Sequence, residues 1–210
     1  MVFKMGEKIL LIGDSITEDG RFDDPKDIGV GYVRLIHDYI NENLSDLQVD
    51  VVNRGVGGDR VTNLADRWET DVISEDPDWV SVSIGINDVW RQLDNPDMEQ
   101  VSPELFEKTY DELLHTLKEH TESKLILMEP TIIEEDVNSV GNALLKPYVE
   151  TVKKLAHKYD AVLVSTHQTF LNFIEKTPKA SLTTDGVHMN DLGRKLMATT
   201  WLVGTGVMSK

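Results

Sequence analysis

The sequence predicts an α/β protein in which helices cover both faces of a parallel β-sheet. Two observations lead to this prediction. Short apolar runs of the kind that form buried strands recur along the 210-residue chain, and longer amphipathic stretches separate them. In addition, the loops that follow three of these runs are rich in Gly, Asp and Asn, which marks them as turns between elements.

Five strands and six helices are predicted. The strands lie at 8–12, 48–53, 79–84, 124–128 and 161–165, and the helices at 32–43, 62–74, 103–120, 144–159, 166–175 and 191–203. Ser102 and Pro103 give one helix a natural start, with the serine as cap. We expect the order 2-1-3-4-5 of a three-layer, doubly wound, flavodoxin-like sheet. No linker or repeat interrupts the chain, so 1–210 is expected to form a single domain.

Composition limits the class of protein. Hydrophobic residues make up 40% of the chain and charged residues 28%, and the mean hydropathy is −0.28. These values are typical of a globular domain and exclude disordered and fibrous proteins. The longest apolar runs, such as 9–12 and 80–86, are far shorter than the roughly 20 residues of a membrane-spanning helix. No membrane partner is expected.

The net charge and the cysteine content further limit the partners and the kinds of site that are expected. The chain has 21 Lys and Arg against 37 Asp and Glu, a formal net charge of −16. A phosphate backbone would be repelled, so nucleic acid is not expected as a partner and neutral substrates fit best. The absence of Cys removes disulfides, thiol nucleophiles and thiolate metal sites. Residues 1–8 lack the features of a secretory signal, so a cytoplasmic location is expected.

Ser15 is the candidate nucleophile. It lies in the sequence GDSIT at 13–17, directly after the first strand, where its hydroxyl would be exposed at the edge of the sheet. Backbone N–H groups near a helix start are free to stabilise negative charge there. The alternative is a turn in which Asp14 and Ser15 only cap the next helix. Asp14 is also a candidate for contact with substrate.

Two further loops offer hydrogen-bond donors at the same edge. The loop at 53–59 (NRGVGGD) follows the second strand, and its glycines let the backbone approach a ligand, which makes the N–H of Gly58 a candidate donor. It lacks a complete nucleotide-binding fingerprint. Asn87, after the third strand, carries an amide that can donate to an oxyanion. Taken singly, the glycine loop is equally explained as an ordinary strand-to-helix turn, and Asn87 is better explained as a helix or turn cap.

Asp185 and His188 form the candidate base. A carboxylate three residues before an imidazole can accept from Nδ1–H, which leaves Nε2 to take a proton from a serine. A metal site is the poorer explanation, because a catalytic zinc needs about three ligands and no such motif is present. The other histidines lie in or beside helical patterns and are interpreted as surface or packing residues: His37, His115, His120, His157 and His167.

Together, the four loops predict one cleft. In the order 2-1-3-4-5 the first strand lies between the second and the third, so Ser15 would lie between Gly58 and Asn87. The loop before the last helix would then supply Asp185 and His188. A nucleophile, a base, a residue that orients the base, and oxyanion donors are the groups that acyl transfer requires.

These four blocks resemble those of the SGNH, or GDSL-type, hydrolases, which supply Ser, Gly, Asn and His in the same order. The resemblance is close over 7–91 and looser over 124–190. It implies a serine esterase that needs no cofactor, with an acyl-Ser15 intermediate and an oxyanion hole formed by Ser15 N–H, Gly58 N–H and the Asn87 side chain. The Gly-x-Ser-x-Gly elbow of the other large class of serine esterases is absent.

Within this family, the stretches at 31–33, 67–68, 77–80 and 86–92 resemble bacterial acetylxylan esterases and related carbohydrate deacetylases. The implied substrate is a small ester or an acetylated oligosaccharide. Trp90 and Arg91 are candidates for a substrate platform, with a buried structural tryptophan as the alternative. Two departures stand out: Met189 replaces a proline that is common in relatives, and the acidic segment 134–136 lies where loop length varies.

Other functions remain compatible with these residues. A short-chain lipolytic esterase or thioesterase would use the same triad. A non-catalytic carbohydrate-binding protein would keep the cleft without forming an acyl-enzyme. A flavodoxin-like nucleotide or phosphate binder would use the glycine loop as an anion nest. Assembly into a homo-oligomer is compatible with all of them.

Overall fold

A single five-stranded sheet organises the computed structural model, which describes residues 3–209. Its strands are β1 (Lys8–Gly13), β2 (Asp50–Gly55), β3 (Trp79–Ser83), β4 (Lys124–Met128) and β5 (Val162–Val164). All neighbouring pairs are parallel and the order is β2-β1-β3-β4-β5. The predicted fold class and strand order are confirmed. The second strand runs two residues later than predicted at both ends.

Eight α-helices lie among the described residues. They are α1 (Ser15–Glu18), α2 (Tyr32–Asn43), α3 (Val61–Trp68), α4 (Ile86–Asp94), α5 (Pro103–His120), α6 (Val140–Lys158), α7 (Thr166–Lys176) and α8 (Asp191–Gly204). Helix α2 packs on α8 and α8 on α7, whereas α3 packs on α5, and α6 contacts α4 and α5. These two groups supply the helical layers on either side of the sheet.

The predicted helices are found, with differences at their ends that have local causes. Helix α5 has the predicted bounds because the hydroxyl of Ser102 accepts from Leu105 N–H and Pro103 occupies the first turn. Helix α6 begins four residues earlier than predicted because Ser139 caps it. Helix α3 ends at Trp68, where a π-helical turn replaces the predicted α-helical continuation.

Helix α4 was not predicted at all. It begins at Ile86, one residue after Gly85, whose φ of +119° lets the chain turn sharply out of the preceding loop. No side chain caps this start, and Asn87 and Asp88 in the first turn are typical of loops. Asn87 therefore lies on the first turn of a helix rather than in a loop.

The core lies on both faces of the sheet. The β1 residues Ile9 to Ile12 are fully buried, as expected for a central parallel strand covered on two sides. The carboxyl ends of β1, β2 and β3 consequently form one rigid edge, from which α1, the loop at 56–60 and α4 depart, so the predicted loop at 53–59 begins inside β2. Among the described residues, no helix is both long enough and apolar enough to cross a bilayer.

Candidate active site

Ser15 is held at the carboxyl end of β1 by tight packing of α1. The carboxylate of Asp14 caps this helix by accepting from the N–H of Ile16 at 2.9 Å. Gly55 allows α1 to lie directly against the end of β2, because a Cβ at this position would come within 2.1 Å of the backbone nitrogen of Glu18. These contacts leave Ser15 half-buried at the edge of the sheet.

Ser15, His188 and Asp185 form a continuous hydrogen-bonded chain. The Oγ of Ser15 lies 2.9 Å from Nε2 of His188, and Nδ1 of His188 lies 2.7 Å from Oδ2 of Asp185. The other carboxylate oxygen of Asp185 accepts from the backbone N–H groups of Val187 and His188, at 3.0 and 2.8 Å. The carboxylate thus fixes both the ring and the backbone that carries it.

The charge on Asp185 sets the tautomer of the histidine. Partial burial acts to raise the pKa of Asp185, but hydrogen bonds from the His188 ring and from two backbone N–H groups outweigh it and hold that pKa below its usual value. A carboxylate only accepts, so Nδ1 of His188 must carry the proton that it donates to Asp185. In the neutral ring, Nε2 is therefore free to accept from the hydroxyl of Ser15.

Gly58 and Asn87 offer N–H groups at the same edge of the sheet as the serine. A Cβ on Gly57 would lie 3.9 Å from Cβ of Ser15, so this glycine turn directly adjoins the candidate nucleophile. Gly58 is exposed, with φ of +82°, and its N–H has no hydrogen-bond partner within 3–209. Asn87 donates one amide hydrogen to the carbonyl of Asp59 at 3.0 Å, which leaves its second hydrogen for another acceptor.

Side chains behind this turn hold the donors in place. The guanidinium of Arg67 donates to Asp59 Oδ2 at 2.7 Å and to the carbonyl of Gly13 at 3.0 Å. It therefore connects the end of β1 to the loop that follows β2. Both carboxyl oxygens of Asp88 accept from the N–H of Val61, at 3.1 and 3.3 Å. This bond fixes the start of α3 to the first turn of α4, and with it the turn that carries Gly58.

Two carboxyl groups next to the candidate catalytic residues are deeply buried. Asp14 is 2% exposed and Asp88 is 0% exposed. Burial raises the pKa of each to about 7, against the opposing effect of backbone hydrogen bonds. For Asp14, burial and the capping bond favour the structural role over the alternative of contact with substrate.

Glu135 anchors the loop that carries Asp185 and His188. Its Oε1 atom accepts from the N–H groups of Leu182 and Thr183, at 2.9 and 2.8 Å, and from the hydroxyls of Thr183 and Ser181, at 2.6 and 3.1 Å. The Thr183 hydroxyl in turn accepts from Gly186 N–H at 3.0 Å. The acidic segment singled out in the sequence thus supplies an anchor for the base loop.

Trp90 packs against the core and also borders the site. It is half-buried, and its ring meets the ring of His188 edge to face, with centroids 5.7 Å apart. The guanidinium of Arg91 lies 4.6 Å from the Trp90 ring centre and pairs with Asp94. Trp90 thus contacts both the core and the His188 ring, and its role as a substrate platform stays a prediction.

Met189 departs from the proline pattern without disturbing the base. It forms an isolated antiparallel bridge with Thr183, which closes the loop around Asp185 and His188. A small cavity of about 120 Å³ beside Ser15 and His188 is partly lined by this residue. No group of three or more His, Cys, Asp or Glu side chains within 3–209 is arranged to hold a metal ion.

The structure brings together the residues that the sequence singled out and adds others. Ser15, Asp185 and His188 form one hydrogen-bonded chain, and Asn87 is bonded to the carbonyl of Asp59, the residue after Gly58. Sequence reasoning missed Glu135 and Arg67 as anchors, and the ion pair between Asp19 and Arg194, which lines the cavity. The resemblance at 67–68 and the acidic run at 134–136 were the only signals for the first two.

Comparison with known proteins places this geometry in a family. The model of the GDSL-like lipase/acylhydrolase family matches residues 11–196. An acetylxylan esterase of Geobacillus stearothermophilus is 36% identical over 205 residues, which cover 94% of this chain and 93% of that protein.

Solved structures of similar proteins share the fold of this chain. The acetylxylan esterase Axe2 of G. stearothermophilus superposes with a TM-score of 0.90 at 34% identity and full coverage of both chains. LAE5, described as an α/β hydrolase enzyme from the metagenome of Lake Arreo, gives 0.92 at 32% identity, also with full coverage. Three Axe2 variants described as catalytic mutants replace a serine, an aspartate and a histidine with alanine. The chain belongs to the GDSL-like lipase/acylhydrolase family.

Proposed function

We propose that this protein is a serine esterase that removes short acyl groups, chiefly acetyl, from carbohydrate by way of an acyl-Ser15 intermediate. The observation that carries the proposal is the contact of 2.9 Å between Ser15 Oγ and His188 Nε2, with Asp185 2.7 Å behind the ring. This is the arrangement in which a serine hydroxyl loses its proton as it attacks.

The first half-reaction would form the acyl-enzyme. As Ser15 Oγ bonds to the ester carbonyl carbon, its proton passes to His188 Nε2, and the Asp185 carboxylate stabilises the imidazolium. The carbonyl oxygen becomes an oxyanion that accepts from Ser15 N–H, Gly58 N–H and the free amide hydrogen of Asn87. When the tetrahedral intermediate collapses, the bond to the alcohol oxygen breaks and His188 returns the proton to that oxygen.

The second half-reaction would release the acid. Water takes the place of the alcohol, gives a proton to His188 Nε2 and attacks the acyl carbon. The same N–H groups stabilise the second oxyanion. The bond to Ser15 Oγ then breaks, and His188 returns the proton to the serine. All of these steps use side chains and backbone of this chain.

Two observations support an acetylated sugar as the substrate. The relatives from Geobacillus stearothermophilus named above are acetylxylan esterases, and they match over almost the whole of both chains. In this chain, the exposed edge of the site carries Trp90 beside His188, and an aromatic face of this kind can stack on a sugar ring. The net charge of −16 also disfavours anionic substrates.

Hydrolysis of p-nitrophenyl acetate tests the reaction. We expect Ser15→Ala to lose the covalent route and therefore nearly all activity, whereas the control Ser45→Ala, at an exposed serine far from the site in sequence, keeps the wild-type rate. A serine-directed phosphonate should label the wild type and the control but not Ser15→Ala. Wild-type turnover by Ser15→Ala would refute the proposal.

A chain-length series tests the acyl group. We expect p-nitrophenyl acetate and acetylated xylo-oligosaccharides to be hydrolysed, with kcat/KM dropping sharply for butyrate and longer esters. Equal rates for octanoate and acetate would instead assign a lipolytic esterase with the same triad.

A further inference from the structure

The cavity beside the candidate nucleophile has a charged wall that the proposed reaction does not use. Ser15 and His188 line one side of this space of about 120 Å³, and Asp19 and Arg194 line another, with Thr184 and Met189 between them. Liquid water occupies about 30 Å³ per molecule, so the space holds roughly four waters. It is large enough for the hydroxyl-bearing edge of one sugar ring.

The two charged side chains form a rigid fork. Nε of Arg194 lies 2.8 Å from Oδ2 of Asp19, and Nη2 lies 2.8 Å from Oδ1, which is the bidentate geometry of a strong ion pair. Nη1 of Arg194 also donates to Asp191 at 3.1 Å. The side chains of Asp19 and Arg194 are 19% and 26% exposed, so both are half-buried yet reachable.

The fork keeps unused hydrogen-bonding capacity on both members. A carboxylate accepts about four hydrogen bonds, and Arg194 supplies only two to Asp19. A guanidinium has five N–H donors, and three of those of Arg194 are used by Asp19 and Asp191. The wall therefore presents an acceptor next to a donor, which is the pattern that a hydroxyl group, itself donor and acceptor, can satisfy at both ends.

The chemistry of ester cleavage places the alcohol on this side of Ser15. The leaving oxygen must receive its proton from His188 Nε2, so the alcohol lies next to that ring. The carbonyl oxygen lies instead towards Gly58 and Asn87. The cavity is lined by Ser15 and His188 but by neither Gly58 nor Asn87, so it adjoins the alcohol half of the ester.

We propose that Asp19 and Arg194 form a specificity subsite that hydrogen-bonds a free hydroxyl of the sugar next to the ester being cleaved. The inference rests on the proposed function and assigns the residues that choose the alcohol. Because the pair would contact only the leaving group, an ester whose alcohol has no free hydroxyl gains nothing from it. The role thus differs from that of a cross-link between α1 and α8, which would affect all esters alike.

Two acetate esters with different alcohols test the subsite. We would measure kcat and KM of Asp19→Asn and Arg194→Met on p-nitrophenyl acetate and on an acetylated xylo-oligosaccharide. Each variant is expected to lose about tenfold or more in kcat/KM on the sugar ester, chiefly through KM, because a hydrogen bond to a charged group is removed. On p-nitrophenyl acetate we expect a change within about twofold.

A matched control separates recognition from the loss of an ion pair. Arg54 pairs with Glu75 at 2.5 Å and is buried to a similar degree, with 24% of its side chain exposed, but it does not line the cavity. Arg54→Met should leave the ratio of the two kcat/KM values unchanged. If Arg194→Met folds poorly, Arg194→Lys keeps the charge but loses the fork, and it should shift the ratio in the same direction by less.

The outcomes are distinct from those that test the esterase proposal. An unchanged ratio of the two kcat/KM values, whether both fall equally or neither falls, would overturn the subsite. It would leave the serine mechanism unaffected. A wild-type protein that cleaves p-nitrophenyl acetate but not the sugar ester would also overturn it. Activity retained by Ser15→Ala would refute the mechanism itself, whatever the ratio.

Discussion

Ser15 Oγ lies 2.9 Å from Nε2 of His188, although 173 positions separate the two residues in the chain. The contact joins the start of the shortest helix, α1, to a loop that has no regular secondary structure of its own. Its geometry therefore depends on how well that loop is fixed. Asp185 and Glu135 are the two carboxylates that fix it, the first from within the loop and the second from the segment after β4.

Replacement of Asp185 by asparagine should impair the base without removing it. An amide that donates towards Nδ1 would favour the wrong tautomer, with the proton on Nε2. We expect kcat to fall by about 10² to 10⁴, with the larger figure typical of buried triads. Asp38→Asn is a matched control, because Asp38 also lies 2.8 Å from a histidine Nδ1, that of His37, but away from the site. Equal activity of both variants would contradict the role of Asp185.

Glu135→Ala should loosen the base loop. It removes one acceptor shared by four donors and leaves two backbone N–H groups without their partner. We expect a loss of about 1–3 kcal/mol in transition-state stabilisation, seen in kcat more than in KM, with Glu135→Gln less affected because its carbonyl oxygen still accepts. The neighbouring exposed Glu134 gives the control Glu134→Ala. A change in KM without a change in kcat would contradict a role of Glu135 in positioning His188.

Asn87→Ala should lower kcat less than Ser15→Ala does, but more than a substitution at the surface. Loss of one oxyanion donor typically lowers kcat by about 10² to 10³ with little change in KM. Asn87 also bonds to Asp59 and is 1% exposed, so thermal unfolding of the variant needs to be recorded beside its kinetics. A folded variant with unchanged kcat would remove Asn87 from the oxyanion hole.

Asp88→Asn should change how stability depends on pH. The pKa of Asp88 is raised by burial to about 7, above its ordinary value of 3.8. Between these values the folded state keeps a proton that the unfolded state loses, so Asp88 lowers the free energy of unfolding as pH rises. Asparagine removes this titration and still offers an acceptor to Val61 N–H. As the pH rises from 5 to 8, the free energy of unfolding of the variant should therefore increase by about 2–3 kcal/mol relative to that of the wild type.

Urea unfolding at several pH values measures this difference. Asp14→Asn, at the other buried carboxyl with a pKa of about 7, is expected to behave in the same direction. Asp38→Asn, at a half-exposed carboxyl, serves as the control. Stability curves of Asp88→Asn and wild type that run parallel from pH 5 to pH 8 would show that Asp88 does not keep its proton in the folded state.

Local patterns predicted the elements that carry their own start signals. Both ends of helix α5 were predicted, and Ser102 and Pro103 mark its beginning. The strands were predicted because short apolar runs bounded by turn residues are typical of buried strands. Helix α4 escaped prediction because its start depends on the positive φ of Gly85 and on packing against α6, neither of which leaves a periodic signal. Polar residues in its first turn resembled a loop.

By itself, the sequence determined the α/β class and singled out the residues of the candidate triad, because apolar periodicity and short motifs are local properties of the chain. The strand order was expected from the doubly wound pattern of that class. Only the tertiary structure decided which side chains support the triad. The fork between Asp19 and Arg194 spans 175 positions and the anchor from Glu135 to Thr183 spans 48. Such contacts form when packing brings distant surfaces together, and a charged residue in the sequence does not reveal which partner it will meet.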